Sequence, residues 1–164
     1  MLLCFTLLLS VCWLRNPSWE VEHQVDISAS PAIVWNLLAD LENYSTWNKY
    51  SPRVVGKLGV GEVVWVESHL DDEVQHVQNH VISIQENSEL CWQSAGWYGV
   101  LVRGKRCRWL QELAVDQTRL RHYEIMSGPL AWLIEVLYRE RIEAGIELAD
   151  NSLAQYAEQL AKER

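Results

Sequence analysis

The chain has 164 residues, 49% of them hydrophobic, with 14 Lys and Arg against 22 Asp and Glu and a formal charge of −8. That length suffices for one domain with a sizeable core, and a charged fraction of 22% beside nine Trp and six Tyr argues against disorder. The acidic balance argues against a phosphate backbone as main partner, and four Cys and eight Gly are too few for a disulfide mini-protein or a fibre.

Residues 1–16 form an apolar leader or weak anchor that stands apart from a domain over residues 17–164. Residues 1–14 carry no charge and include Leu7, Leu8, Leu9 and Trp13, before Arg15 and Pro17 end the run. A full membrane span needs about 20 apolar residues, and a secretory signal opens with Lys or Arg, which this run lacks. Three readings stay open: a membrane-surface anchor or uncleaved leader, a cleaved signal, and an incidental extension. The corresponding location is cytoplasmic or membrane-associated, with export the weaker reading.

Val21, His23, Val25 and Ile27 alternate within residues 19–29, which reads as a strand. Ser30-Pro31 then starts a helix, with the Ser hydroxyl accepting an orphan amide and Pro at the first helical position. That helix, 31–39, places Ile33, Val34, Leu37 and Leu38 on its buried side, and 40–47 reads as a second short helix or turn. Strand patterns follow at 53–58, 62–70, 74–85, 89–94, 103–115 and 118–126, separated by hairpin-length gaps. After Gly128-Pro129 the period becomes helical for about thirty residues, from Leu130 through Ile142 and Ile146 to Leu160. The order is β-α-α-β6-α, an α+β fold. A curved antiparallel sheet wrapped around one long helix leaves a hollow as the default ligand site.

Val25-Asp26-Ile27-Ser28-Ala29-Ser30-Pro31, followed by Val34-Trp35 and Asp40, resembles the opening of the START-like superfamily, also called SRPBCC. Tyr44-Ser45-Thr46-Trp47-Asn48 is similar to its Tyr-x-x-Trp-Asn segment, although Lys49 follows where Pro is common. The strand from Thr118 to Gly128, with Glu124 four residues before the Gly, resembles the last strand of that superfamily. The resemblance implies a helix-grip fold with an internal cavity, in the polyketide cyclase/dehydratase-like and lipid-transport-like branch.

Leu120, His122, Glu124 and Met126 share one strand face with Thr118. Simple pairing about Asp116-Gln117 sets Glu124 opposite Trp109, His122 opposite Gln111, Met126 opposite Cys107, and Arg121 opposite Glu112 on the outer face; a bulge would shift this and reverse the faces. The expected ligand wall is therefore Trp109, Gln111, Leu120, His122, Glu124 and Met126, with Trp65 and Trp92 as further candidates. Trp35 and Trp47 pack the short helices, Trp19 stands at the domain edge, Trp97 sits in a turn, and Trp132 closes one end of the cavity. A carboxylate in an apolar hollow has a raised pKa, and a nearby imidazole can exchange its proton, so Glu124 and His122 are the weak acid/base candidates. The bland reading is that they bond each other or the backbone.

No metal or cofactor is expected: His76 and His80 share a face but lie about 13 Å apart at ~3.3 Å per residue, and His69 does not complete a set. Cys91 and Cys107 are read as two buried free thiols, since a disulfide requires export. Arg103, Lys105, Arg106, Arg108, Arg119 and Arg121 form a basic stripe, read as a solvated edge pairing with local Glu, with an anionic headgroup or membrane surface as rival. The leading function is binding or transfer of a hydrophobic small molecule (lipid, isoprenoid or polyketide-like). The alternatives are a cyclase/dehydratase-type enzyme and a protein-interaction or chaperone-like module. The partner is thus a hydrophobic ligand, not nucleic acid, with weak membrane association through residues 1–14.

Overall fold

The computed structural model describes residues 17–163 apart from residues 71 and 97, so the leader, Trp13 and Trp97 lie outside the described residues. In β1 (Ser18–Ile27) Trp19, Val21 and Ile27 are buried while Ser18, Glu20, Glu22, Gln24 and Asp26 face solvent. Ser30 then precedes α1 (Pro31–Ala39) with Pro31 in the first turn. The backbone makes this cap: Ser30 O accepts from Ile33 N at 3.0 Å, and the hydroxyl makes no capping bond, contrary to the sequence expectation. α1 buries Ile33, Val34, Trp35 and Leu38, and the 3-10 helix Leu41–Thr46 follows it.

β2 (Arg53–Gly56), β3 (Val63–Leu70), β4 (Glu73–Gln85) and β5 (Glu89–Ser94) form a meander, which a one-turn helix α2 (Tyr98–Leu101) connects to β6 (Arg103–Ala114) and β7 (Gln117–Ser127). Every pairing is antiparallel in one seven-stranded sheet of order β1-β7-β6-β5-β4-β3-β2. Gly128 turns the chain into α3 (Ala131–Lys162) at φ +124°, where a Cβ would meet Leu101 O at 2.5 Å. α3 lies in the curve of the sheet and buries Ile142, Gly145, Ile146, Ala149, Asp150, Leu153, Ala154 and Ala157.

The expected register of β6 and β7 is corrected. The hairpin turns at Val115-Asp116, one residue earlier than expected, which moves the partners by two, and a bulge between Glu112 and Ala114 moves them by one more, so Glu124 faces Arg106, His122 faces Arg108, Met126 faces Gly104 and Arg121 faces Trp109. An odd shift exchanges the faces of β6. Arg106 and Arg108 therefore point inward, while Trp109 and Gln111 point outward. The outward arginines pair across the sheet instead with β1, Arg119 Nε with Asp26 at 2.7 Å and Arg121 with Glu22. The basic stripe is thus split: Arg106 and Arg108 are buried, while Arg103, Lys105, Arg119 and Arg121 keep contact with solvent.

The inward side holds two apolar clusters with a polar belt between them. Leu120, Leu110, Trp92 and Leu153 belong to the larger cluster, while Met126, Trp19, Ile146 and Ala149 belong to the smaller one. Along β7 the belt is His122 and Glu124, between Leu120 and Met126; along α3 it is Asp150, between Ala149 and Leu153. Cys91 and Cys107 lie directly opposite each other on β5 and β6 and form a disulfide, correcting the reading of two free thiols.

Candidate functional site

The belt is assembled from five elements. Two inward rows of the sheet cross it, with His23 of β1 beside His122 of β7 and Arg108 of β6, and Val21 beside Glu124 and Arg106. Trp92 of β5 adjoins Arg106 in register, and its ring centroid lies 5.7 Å from the Arg108 guanidinium. α3 supplies Asp150 from the same face as Ile142 and Ile146.

His122 and Glu124 share the inward face but do not bond each other; each has a different partner. Arg106 Nε donates to Glu124 Oε2 at 2.7 Å, and its guanidinium lies 5.6 Å from the centre of the Tyr50 ring. Burial opposes the Arg106 charge, but Glu124 outweighs it and holds that guanidinium above its ordinary range. The Tyr50 ring in turn rests on α3 at Gly145, where a Cβ would lie 2.4 Å from it.

Asp150 holds two imidazoles, accepting from His122 Nδ1 at 2.8 Å and from His23 Nδ1 at 3.0 Å. Burial pushes the Asp150 carboxyl up, but His122, His23 and Arg108 together hold it below the ordinary carboxylate range. His122 is fully buried, and desolvation drops its pKa to about 4 despite Asp150, so it is neutral at neutral pH. His23 is partly exposed, and its bond to Asp150 raises its pKa above the ordinary imidazole value. Because a carboxylate only accepts, neutral His122 has its proton on Nδ1 and a bare lone pair on Nε2. That Nε2 is buried without a hydrogen-bond partner.

Arg108 is the outlier. It is 2% exposed, its Nε has no acceptor, and among the described residues no carboxylate, carbonyl or hydroxyl bonds it. Burial pulls its pKa below the ordinary value, yet a guanidinium stays protonated at neutral pH. Trp47 Nε1 and Asn48 Nδ2 are also buried donors without acceptors, on the segment that carries Tyr44 and Tyr50. Tyr44 itself donates to Leu38 O at 2.9 Å, and desolvation pushes its pKa up to about 12.

The other sequence candidates are placed as follows. Leu120 and Trp92 are buried on the inward side and Met126 is half-buried there. Trp65 is 51% exposed on the outer face, in a shallow cleft of about 240 Å³ with Arg53, Val55, Glu67 and His76. Trp109 and Gln111 line another outer cleft of about 370 Å³ with Glu22, Gln24, Arg119 and Arg121. Neither cleft opens between sheet and helix, where the polar belt sits. Trp132, expected to close the hollow, is 46% exposed, and Trp19 is buried with its Nε1 donating to Ala131 O. His69 bonds Glu67 on the exposed face, and among the described residues no three His, Cys, Asp or Glu are placed to hold a metal.

Sequence reasoning missed Asp150 and the inward arginines. Asp150 had a legible signal, an acidic residue four positions after Ile146 within the apolar stripe of α3. Arg106 and Arg108 had none that separates them from Lys105 without the register.

Solved structures share this fold. An aromatase/cyclase, Zhui, from Streptomyces sp. R1128 superposes with a TM-score of 0.69 at 16% identity, covering 87% of this chain and 95% of that one. Norcoclaurine synthase from Thalictrum flavum gives 0.69 at 10% identity, covering 94% and 92%. The di-domain aromatase/cyclase StfQ of the steffimycin biosynthetic pathway gives 0.73 at 9% identity, covering 90% of this chain and 54% of that one. No curated protein sequence matches the chain significantly. The family model described as polyketide cyclase/dehydrase and lipid transport matches residues 18–158, and the chain belongs to that family, within the SRPBCC superfamily.

Proposed function

We propose that the domain binds a small, mainly apolar molecule between the sheet and α3, and that Arg108 holds its oxygen-bearing end. The observation that carries this reading is the buried Arg108 guanidinium, whose Nε has no hydrogen-bond partner. Desolvating a guanidinium with no hydrogen-bonded carboxylate costs several kcal/mol, which the Trp92 ring and the weaker attraction of Asp150 and Glu124 offset only in part. A carbonyl or oxyanion on the ligand recovers that cost. The apolar clusters on either side of the belt suit the rest of such a molecule. Native mass spectrometry of gently purified protein is expected to find a retained or readily taken-up hydrophobe bearing a carbonyl, carboxylate or phenol. Failure to take up any such compound would remove the reading.

A second reading, an enzyme of the cyclase or dehydratase type, is favoured by one observation, the His122–Asp150 pair. Asp150 fixes the Nδ1–H tautomer of His122 and leaves Nε2 as a base. A ketone oxygen on Arg108 would acidify its α-hydrogens, which Nε2 could then remove. Glu124 serves in this reading only to hold Arg106. The test is exchange of the methyl hydrogens of 4-hydroxyacetophenone in D2O, followed by NMR. Acceleration that His122→Gln abolishes, with ligand uptake retained, supports catalysis; equal exchange with and without protein leaves only the binder.

A further inference from the structure

We propose that the interior site selects a ligand whose bonding edge carries an acceptor and a donor side by side, as the C(=O)–N–H edge of a lactam does. The acceptor takes the hydrogen of Arg108 Nε, and the donor bonds the lone pair of His122 Nε2. This rests on the reading that a ligand oxygen lies at Arg108, and it adds the group that must stand beside that oxygen.

Arg108 of β6 and His122 of β7 are partners in register on the inward side. They are 2% and 0% exposed, so bulk water does not compensate an unmet bond on either. Nε of the first and Nε2 of the second are both buried without a partner. The two atoms are opposite in kind. A guanidinium Nε always carries a hydrogen. His122 Nε2 carries none, because the ring is neutral and its one hydrogen sits on Nδ1, 2.8 Å from Asp150 Oδ1. They do not satisfy each other, although the guanidinium lies near enough to lower the imidazole pKa.

Among the described residues no side chain gives Nε2 a hydrogen. Tyr44 donates to Leu38 O, and the Glu124 carboxylate accepts from Arg106. An unmet buried donor and an unmet buried acceptor each cost stability, and here they stand at adjacent positions. A ligand oxygen alone meets Arg108 and leaves the Nε2 lone pair bare. An edge with the reverse pattern meets both at once, while the apolar clusters on either side of the belt take the rest of the molecule. A site built in this way discriminates against analogues that lack the matching hydrogen.

The test compares 2-quinolone, a lactam with this edge, with coumarin, the same bicycle with the ring N–H replaced by oxygen. Both are titrated by calorimetry against the full chain and against Arg108→Met. The parent is expected to bind 2-quinolone about tenfold or more tightly than coumarin. The lactam carbonyl is also the stronger acceptor, and Arg108→Met separates the two causes. Both affinities should fall in that variant, and the preference should persist because it resides at His122. Nitrogen-15 NMR of the parent supplies a reading that needs no variant. Free His122 Nε2 should resonate as a bare, pyridine-type nitrogen, and its signal should move upfield with 2-quinolone but not with coumarin. The proposal is overturned, with the Arg108 clamp left standing, if coumarin binds the parent as tightly as 2-quinolone or if Nε2 is unmoved by bound 2-quinolone. A preference that vanishes in Arg108→Met, or a free His122 with its hydrogen on Nε2, overturns it as well. If the chain takes up neither compound, this proposal and the clamp fall together.

Discussion

Arg106 and Arg108 are two residues apart on one strand face, yet their replacement by Met should change stability in opposite directions. Arg108→Met removes a guanidinium that is 2% exposed and has no bonded acceptor. Its desolvation costs several kcal/mol, offset by about 2 kcal/mol of interaction with the Trp92 ring and by weaker attraction to Asp150 and Glu124. The apolar replacement of similar length should therefore stabilise the ligand-free fold by about 1–3 kcal/mol. At roughly 2–4 °C per kcal/mol for a chain of this size, Tm should rise by several degrees. Arg106→Met leaves Glu124 buried without its partner and should destabilise by about 3–5 kcal/mol. Urea titration of both variants with ligand removed measures the pair. If Arg108→Met lowers stability as much as Arg106→Met, Arg108 is a structural residue and the ligand argument built on it collapses.

The pH profile should show two opposed histidines. His122, depressed from 6.5 to about 4, binds its proton less readily folded than unfolded, so its contribution is full above the unfolded value and up to about 3 kcal/mol is lost as pH falls from 6.5 toward 4. His23 has the reverse sign, since its raised pKa gives stability below 6.5 that is lost as pH rises through the folded value. Tm should climb from pH 4 to about 6.5 and then sag slightly, and His122→Gln should flatten the climb. Gly145→Ala gains helix propensity but drives a methyl into Tyr50, so a net loss of about 1–3 kcal/mol is expected by urea titration. Reduction of Cys91–Cys107, which closes a loop of sequence separation 16, should cost about 1–3 kcal/mol, read as a lower Tm in the presence of a phosphine.

The elements were legible because each carries local signals. The strands alternate between tight turns, Ser30-Pro31 marks the start of α1, and the apolar stripe from Ile134 to Leu160 has a helical period. The expected order of elements is the observed one apart from the one-turn helix α2, and His122, Glu124 and Leu120 do face inward together. What local pattern could not carry was the hairpin joining β6 to β7. Asp116 adopts φ +54° and the bulge at Glu112/Ala114 inserts an offset that depends on how the whole sheet curves. Cross-strand charge matching suggested Glu112 as the partner of Arg121, but Glu22 arrives from β1, a strand about a hundred residues earlier (|i−j| 99). Through that one offset an aromatic wall of Trp109 and Gln111 became a cationic one of Arg106 and Arg108.

The interior arginine as a ligand-oxygen clamp is tested most directly by comparing two probes of similar size. These are the anion 1-anilinonaphthalene-8-sulfonate and the neutral N-phenyl-1-naphthylamine, each titrated by fluorescence against the parent and Arg108→Met. The anion should bind the parent about tenfold or more tightly than the neutral probe, as one charge-assisted hydrogen bond of roughly 1.5–3 kcal/mol allows. In Arg108→Met that preference should vanish while the neutral probe keeps its affinity. Equal binding of both probes to the parent, or an anion preference that survives Arg108→Met, contradicts the account.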